Sequence, residues 1–116
     1  MREPGPFQVT QEALAVVTRL LRPPLEMEGA LILVLGFEQH DDRGKVEARF
    51  EREHFMVSYD SFEKFLHWPR VELCGHSIPV APEALERLRG HTLVIQACEV
   101  GYETGGKEIR EFLVAA

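Results

Sequence analysis

Cys74, Gly75 and His76 stand together within a chain of 116 residues, and a thiol two residues from an imidazole is a pairing that can serve metal or thiol chemistry. In an extended segment alternate side chains project to the same side, so Cys74 and His76 could give two ligands of a zinc site. Two more are required, and Cys98, His40, Asp41 and His54 supply donor types without forming a recognised spacing pair. Iron–sulfur chemistry asks for thiolates, commonly four per cluster, and the chain has only Cys74 and Cys98. Two copies sharing both cysteines across an interface would reach that number. A nucleophilic Cys74 would need activation by an imidazole such as His76, although such partners usually meet through the fold. Against these readings stands a simpler one: Cys74-Gly75-His76-Ser77 is a turn, and both cysteines are small apolar side chains. The sequence favours it.

His40-Asp41-Asp42 could hold a hard or borderline cation, but Asp-Asp-Arg-Gly is also the chemistry of a solvated hairpin tip. No Gly-x-Ser-x-Gly elbow, Walker loop, His-Glu-x-x-His helix or Gly-x-Gly-x-x-Gly fingerprint occurs, and Gly105-Gly106 suits a tight turn. In "FEKFLHW", Phe62, Phe65 and Leu66 fall on one helical stripe with Trp68 just beyond. Such a stripe belongs to a core, or, facing solvent, forms an apolar patch suited to a partner.

The elements that must position these residues begin with Phe7-Gln8-Val9, a short strand after the leader at 1–6, which is expected to be flexible. Thr10 can cap a helix from Gln11 to Leu21, with Glu12 at its positive end, and Pro23-Pro24 stops it. "ALILVLGF", from Ala30 to Phe37, is continuously apolar and suits a strand covered on both faces, whereas "KVEARFE", from Lys45 to Glu51, alternates. A hairpin between the two is the economical connection. A third strand is expected from His54 to Tyr59. Asp60 or Ser61 can then cap a short helix that Pro69 ends, and Val71 to Leu73 extends. The turn at Cys74 leads into Ile78 to Val80. A helix opened by Pro82 and closed by Gly90 follows, then a long strand from Thr92 to about Val100. In the tail, Lys107 to Ala116, the residues Ile109, Phe112 and Leu113 lie at helical spacing.

Composition bounds the rest. With 45% hydrophobic and 28% charged residues, the chain matches a globular protein of one domain, 1–116. A net charge of -6 and the absence of any Arg/Lys cluster argue against nucleic acid, because phosphate binding rests on concentrated cations. The longest apolar run, Ala30 to Leu35, is far short of the roughly 20 residues that cross a bilayer. With no apolar signal segment at the N-terminus, a cytoplasmic location and free thiols are expected.

"FQVTQEALAVV" and "IPVAPEALERL" share an apolar-x-Val-x-x-Glu-Ala-Leu pattern. It reflects either two related strand–cap–helix units or the preference of any such junction for a cap and an early Glu. Extended to "FQVTQEALAVVTRLL" and "IPVAPEALERLRGHTLVIQ", these stretches resemble the HesB-like, A-type iron–sulfur cluster carrier family. In that family a later strand runs into D/A-P-x-x-L-x-x-L-x-G and a Thr-led strand. The resemblance covers about a third of the chain and implies an α+β fold, a small single domain with a curved mixed β-sheet and short helices. The family's chemistry rests on a Cys after the second strand and a Cys-x-Cys near the C-terminus. The corresponding stretches here, "GFEQHDDRG" and "GGKEIREFLVAA", have none.

The expectation is therefore a non-catalytic HesB-like domain that has lost its cluster ligands, holds no cofactor and works through contact with an unknown protein partner. A homodimer is compatible with so small a domain. The alternatives are a metal or cluster carrier using Cys74, His76 and Cys98, and a thiol enzyme with Cys74 as nucleophile.

Overall fold

Nine strands, two α-helices and one 3-10 turn follow one another in a computed structural model that describes residues 5–73 and 75–116. The order is β1 (Gln8–Val9), α1 (Gln11–Leu20), β2 (Met27–Val34), β3 (Phe37–His40), β4 (Val46–Phe50), β5 (His54–Ser61), the 3-10 turn (Phe62–Phe65), β6 (Arg70–Leu73), β7 (His76–Pro79), α2 (Pro82–Leu88), β8 (Thr92–Tyr102) and β9 (Lys107–Ala115). Seven strands form one sheet in the order β2-β5-β9-β8-β4-β3, with β1 added parallel to β8; β6 and β7 form a separate antiparallel pair. The fold is α+β, and the parallel β1 makes the large sheet mixed.

Local chemistry accounts for both helices. Thr10 is extended, and its hydroxyl accepts the Ala13 N–H at 3.2 Å, satisfying one of the donors a helix start leaves open. In α2 the same place is held by Ala81, which offers no side-chain cap, while Pro82 takes the first helical position, where its missing N–H costs nothing. One face of the sheet and both helices enclose the main core. Ala13, Val17, Leu31, Val80, Ala84, Leu88 and Leu93 are fully buried there.

The two similar segments occupy reciprocal places. Val9 lies opposite Leu93 of β8, and Val80 bridges in parallel to Leu31 of β2. The Thr10 N–H donates to the Leu93 carbonyl at 3.1 Å, and the Ala81 N–H donates to the Leu31 carbonyl at 2.9 Å. Two residues onward, Leu33 pairs with Phe55 and Ile95 pairs with Leu113, while Phe55 and Leu113 face each other where β5 meets β9. Each strand–helix unit thus covers the strand belonging to the other half.

Several expectations change. The apolar run from Ala30 to Phe37 is not one strand: β2 ends at Val34, Gly36 takes a positive φ of 142°, and Phe37 starts β3. The hairpin across Asp41–Lys45 joins β3 to β4, and β2 pairs instead with β5 along eight residues. The tail is strand, not helix. Gly105 turns the chain at φ 86°, and β9 pairs with β8 along nine residues, putting Leu113 in the main core. Phe112 lies on the opposite face, against Phe50. An apolar residue on each face of a strand imitates helical spacing.

The segment after β5 winds as a four-residue 3-10 turn, too short for an α-helical stripe. Phe65 is buried against Trp68, with ring centroids 4.6 Å apart, whereas Phe62 and Leu66 stay outside. Ser61 stands at its start without a side-chain cap bond. Of the leader, residues 1–4 lie outside the described residues, and the Pro6 carbonyl accepts from the Gly90 N–H at 3.1 Å.

Candidate functional site

Among the described residues, those singled out for metal or thiol chemistry are not gathered into one place. Cys74 lies outside the described residues. His76 is exposed at the start of β7, opposite Leu73 in the small two-stranded sheet. Cys98 belongs to β8 of the large sheet and is buried beside Ala48, Phe50 and Val100. Its sulfur lies 3.7 Å from the Gln96 carbonyl and 3.8 Å from an Arg52 guanidinium nitrogen. Among the described residues, no group of three or more His, Cys, Asp or Glu side chains is placed to hold a metal ion.

The polar groups near these positions are engaged locally. At the β3–β4 tip, Asp41 Oδ1 accepts the N–H groups of Arg43 at 2.8 Å and Lys45 at 3.0 Å, so this carboxylate shapes the turn. His40 Nε2 lies 3.4 Å from Glu38. His54, 5% exposed, sets Nδ1 3.2 Å from the Arg52 carbonyl and its ring edge-on to Phe112. A carbonyl only accepts, so Nδ1 is the protonated nitrogen of that ring.

Two open concavities are similarly occupied by paired charges. A groove of about 670 Å³ is lined by Phe37, Glu38, Arg49 and Phe50, and Glu38 meets Arg49 at 3.3 Å. A cleft of about 360 Å³ is lined by Arg52, Glu53, Arg87 and His91, and Arg87 is bound to Glu53. The Arg87 guanidinium is held above its usual range chiefly by that hydrogen bond.

Sequence reading missed a polar clasp on the β8–β9 hairpin. The Tyr102 hydroxyl donates to Glu108, and Arg110 reaches Gln39 at 3.0 Å, Glu108 at 3.1 Å and Tyr102 at 3.3 Å while lying over the Phe37 ring. Accepting from Tyr102, and then from Arg110, holds the Glu108 carboxyl below its ordinary range; the same bond to Glu108 holds the Tyr102 phenol above its own. The clasp ties β3 to the hairpin. Its sequence signal was the turn at Gly105, which folds Glu108 and Arg110 back toward Tyr102.

One surface feature has no partner among the described residues. The register of Met27 opposite Ser61 brings Leu25 and Met27 to the same end of the β2–β5 ladder as Phe62 and Leu66. Leu25 is 95% exposed, Leu66 67% and Phe62 56%, and Met27 is partly exposed beside them. The end of α1 adds Leu20, and Arg22 N–H donates to the Tyr59 hydroxyl at 3.3 Å, fixing helix and ladder together. Gly29 permits the close approach: a methyl at its Cα would meet Leu21 Cδ2 at 2.8 Å. Phe62 and Leu66 were foreseen as a patch if they faced solvent. Leu25 and Met27 were not; their signal was apolar side chains within a proline-led loop.

Comparison with protein-family models, with curated proteins and with solved structures finds no match to this chain. No helix among the described residues is long and apolar enough to cross a membrane.

Proposed function

We propose that this chain is a non-catalytic domain of HesB-like descent that has lost the cluster ligands and works by protein contact. The observation that carries this reading is the apolar end built from Leu25, Met27, Phe62 and Leu66. Exposed apolar residues scattered singly need no explanation, whereas several at one end of a sheet mark a surface that gains by being covered. Burying an exposed Leu or Phe side chain contributes about 1.5–3 kcal/mol in full, so three or four of them offset much of the cost of bringing two molecules together. The HesB-like part is supported by the two strand–helix units alone; the loss of ligands is read from the absence of cysteine in "GFEQHDDRG" and "GGKEIREFLVAA".

The test is binding that depends on the apolar end. A protein that associates with the chain, identified and titrated in purified form, should lose about tenfold or more in affinity to chains carrying Phe62→Ser or Leu66→Ser, roughly 1.4 kcal/mol each. Unchanged association of every such partner by both variants refutes the contact reading. Stoichiometric iron retained after anaerobic reconstitution with iron and sulfide refutes the lost-ligand reading.

A further inference from the structure

We infer that the partner at the apolar end is a second copy of this chain, docked about a two-fold axis. This rests on the contact reading above and adds to it the identity of the occupant. Charge is unevenly distributed around the apolar residues.

Along β2 and β5 the side chains alternate between faces, so Gly29 and Tyr59 share one face and Glu28 and Asp60 the other. Leu21 packs on Gly29, which places the end of α1, with Arg19 and Arg22, on the first face. Asp60 projects from the second. Glu26 and Glu63 flank the apolar residues in sequence, before Met27 and after Phe62. Arg19, Arg22, Glu26, Asp60 and Glu63 make no ion pair among the described residues, nor does Lys64, the one cation within the 3-10 turn. The nearby Arg70 is already matched, at 2.7 Å, by Glu28.

That end of the ladder therefore carries the basic end of α1 on one face and Asp60 on the other, with Glu26 and Glu63 next to the apolar residues in sequence. A two-fold axis through the apolar residues sets the basic side of each copy against the acidic groups of the other, while Leu25, Phe62 and Leu66 meet their own counterparts. Such a surface is self-complementary, which an isologous interface requires. A uniformly acidic rim on a chain of net charge -6 would instead repel its own copy.

Sedimentation equilibrium on the purified full chain tests this. Wild type should form a concentration-dependent dimer that weakens as salt rises, since exposed pairs are screened. Leu66→Glu and Phe62→Glu should each raise the dissociation constant about tenfold or more with the far-UV spectrum unchanged. A chain with Arg19→Glu and Arg22→Glu, and another with Asp60→Lys and Glu63→Lys, should each dimerise poorly alone and regain association when mixed. Failure of the mixture to recover, or a dimer indifferent to both apolar substitutions, overturns the two-fold arrangement. A monomer that binds an identified different protein through Phe62 and Leu66 overturns the second copy but leaves the contact reading standing. If those substitutions change neither self-association nor any other binding, both fail.

Discussion

Transplanting the helix cap from one strand–helix unit to the other probes their reciprocal arrangement. Thr10 and Ala81 hold equivalent places: both are extended, at φ -69°, ψ 159° and φ -56°, ψ 139°, and each donates its N–H to a core strand. Only Thr10 adds a hydroxyl, 3.2 Å from the Ala13 N–H. Ala81→Ser should supply the missing bond to the Ala84 N–H; serine avoids the extra methyl of threonine at a buried position. Exchanging such a cap for alanine typically costs about 1 kcal/mol, within a range of about 0.5–2. Thr10→Ala should therefore destabilise by about 1 kcal/mol, and Ala81→Ser should stabilise by a similar amount. At this chain length each corresponds to a melting shift of about 3–6 °C in opposite directions. The double variant should return near wild type, because the caps serve different helices without a shared partner. Urea and thermal unfolding followed by circular dichroism give all four values. If Ala81→Ser destabilises while Thr10→Ala is neutral, the two junctions are not equivalent.

Other perturbations address the second core, the clasp and the thiol. Phe50 and Phe112 stack with centroids 4.3 Å apart at 6°, so a double-mutant cycle with leucine should give a coupling of about 0.5–1.5 kcal/mol, and a value near zero removes the stack as a stabiliser. Leu93→Ala, at a fully buried position, should cost about 2–5 kcal/mol by urea unfolding; a loss below about 1 would mean that the main core is misplaced. The Glu108 carboxyl should titrate by NMR below the ordinary midpoint of about 4.3, because Tyr102 and Arg110 bind its charged form. The resulting stability is present above the unfolded-state value and lost as pH falls through the folded one, so Glu108→Gln should flatten that part of the acid limb. A midpoint at or above the ordinary one contradicts the clasp. Cys98, buried under Phe50 and Val100, should react with a thiol reagent far more slowly in the native chain than in urea, and equal rates would place it outside.

What was legible in the sequence is the chemistry of neighbours. Thr10 as a cap, Pro23-Pro24 as a stop, Pro82 and Gly90 bounding α2, and the Asp41 turn all follow from contacts within a few residues, and the structure has each of them. Pairing between distant segments was not legible. Nothing near Leu31 says that its antiparallel partner is Val57 rather than a residue of β4, because a continuously apolar run fits either neighbour. Burial on both faces likewise disguised β9, where Phe112 and Leu113 serve different cores. The apolar end combined both difficulties: Leu25 and Phe62 are far apart in sequence and come to the same end only through the β2–β5 register.

The parallel pairing of Gln8 with Thr92 and of Val9 with Leu93 sets a timetable for folding. The first strand and helix leave the ribosome long before β8 exists, so their docking surface is missing for most of synthesis. Until Leu93 arrives, Phe7 and Val17 have no complete sheet to rest on, and the amino-terminal segment must wait undocked or settle elsewhere. Joining residues this far apart costs loop-closure entropy that a local hairpin such as β8–β9 escapes, so the two β1–β8 residue pairs weigh on the folding rate more than their number suggests.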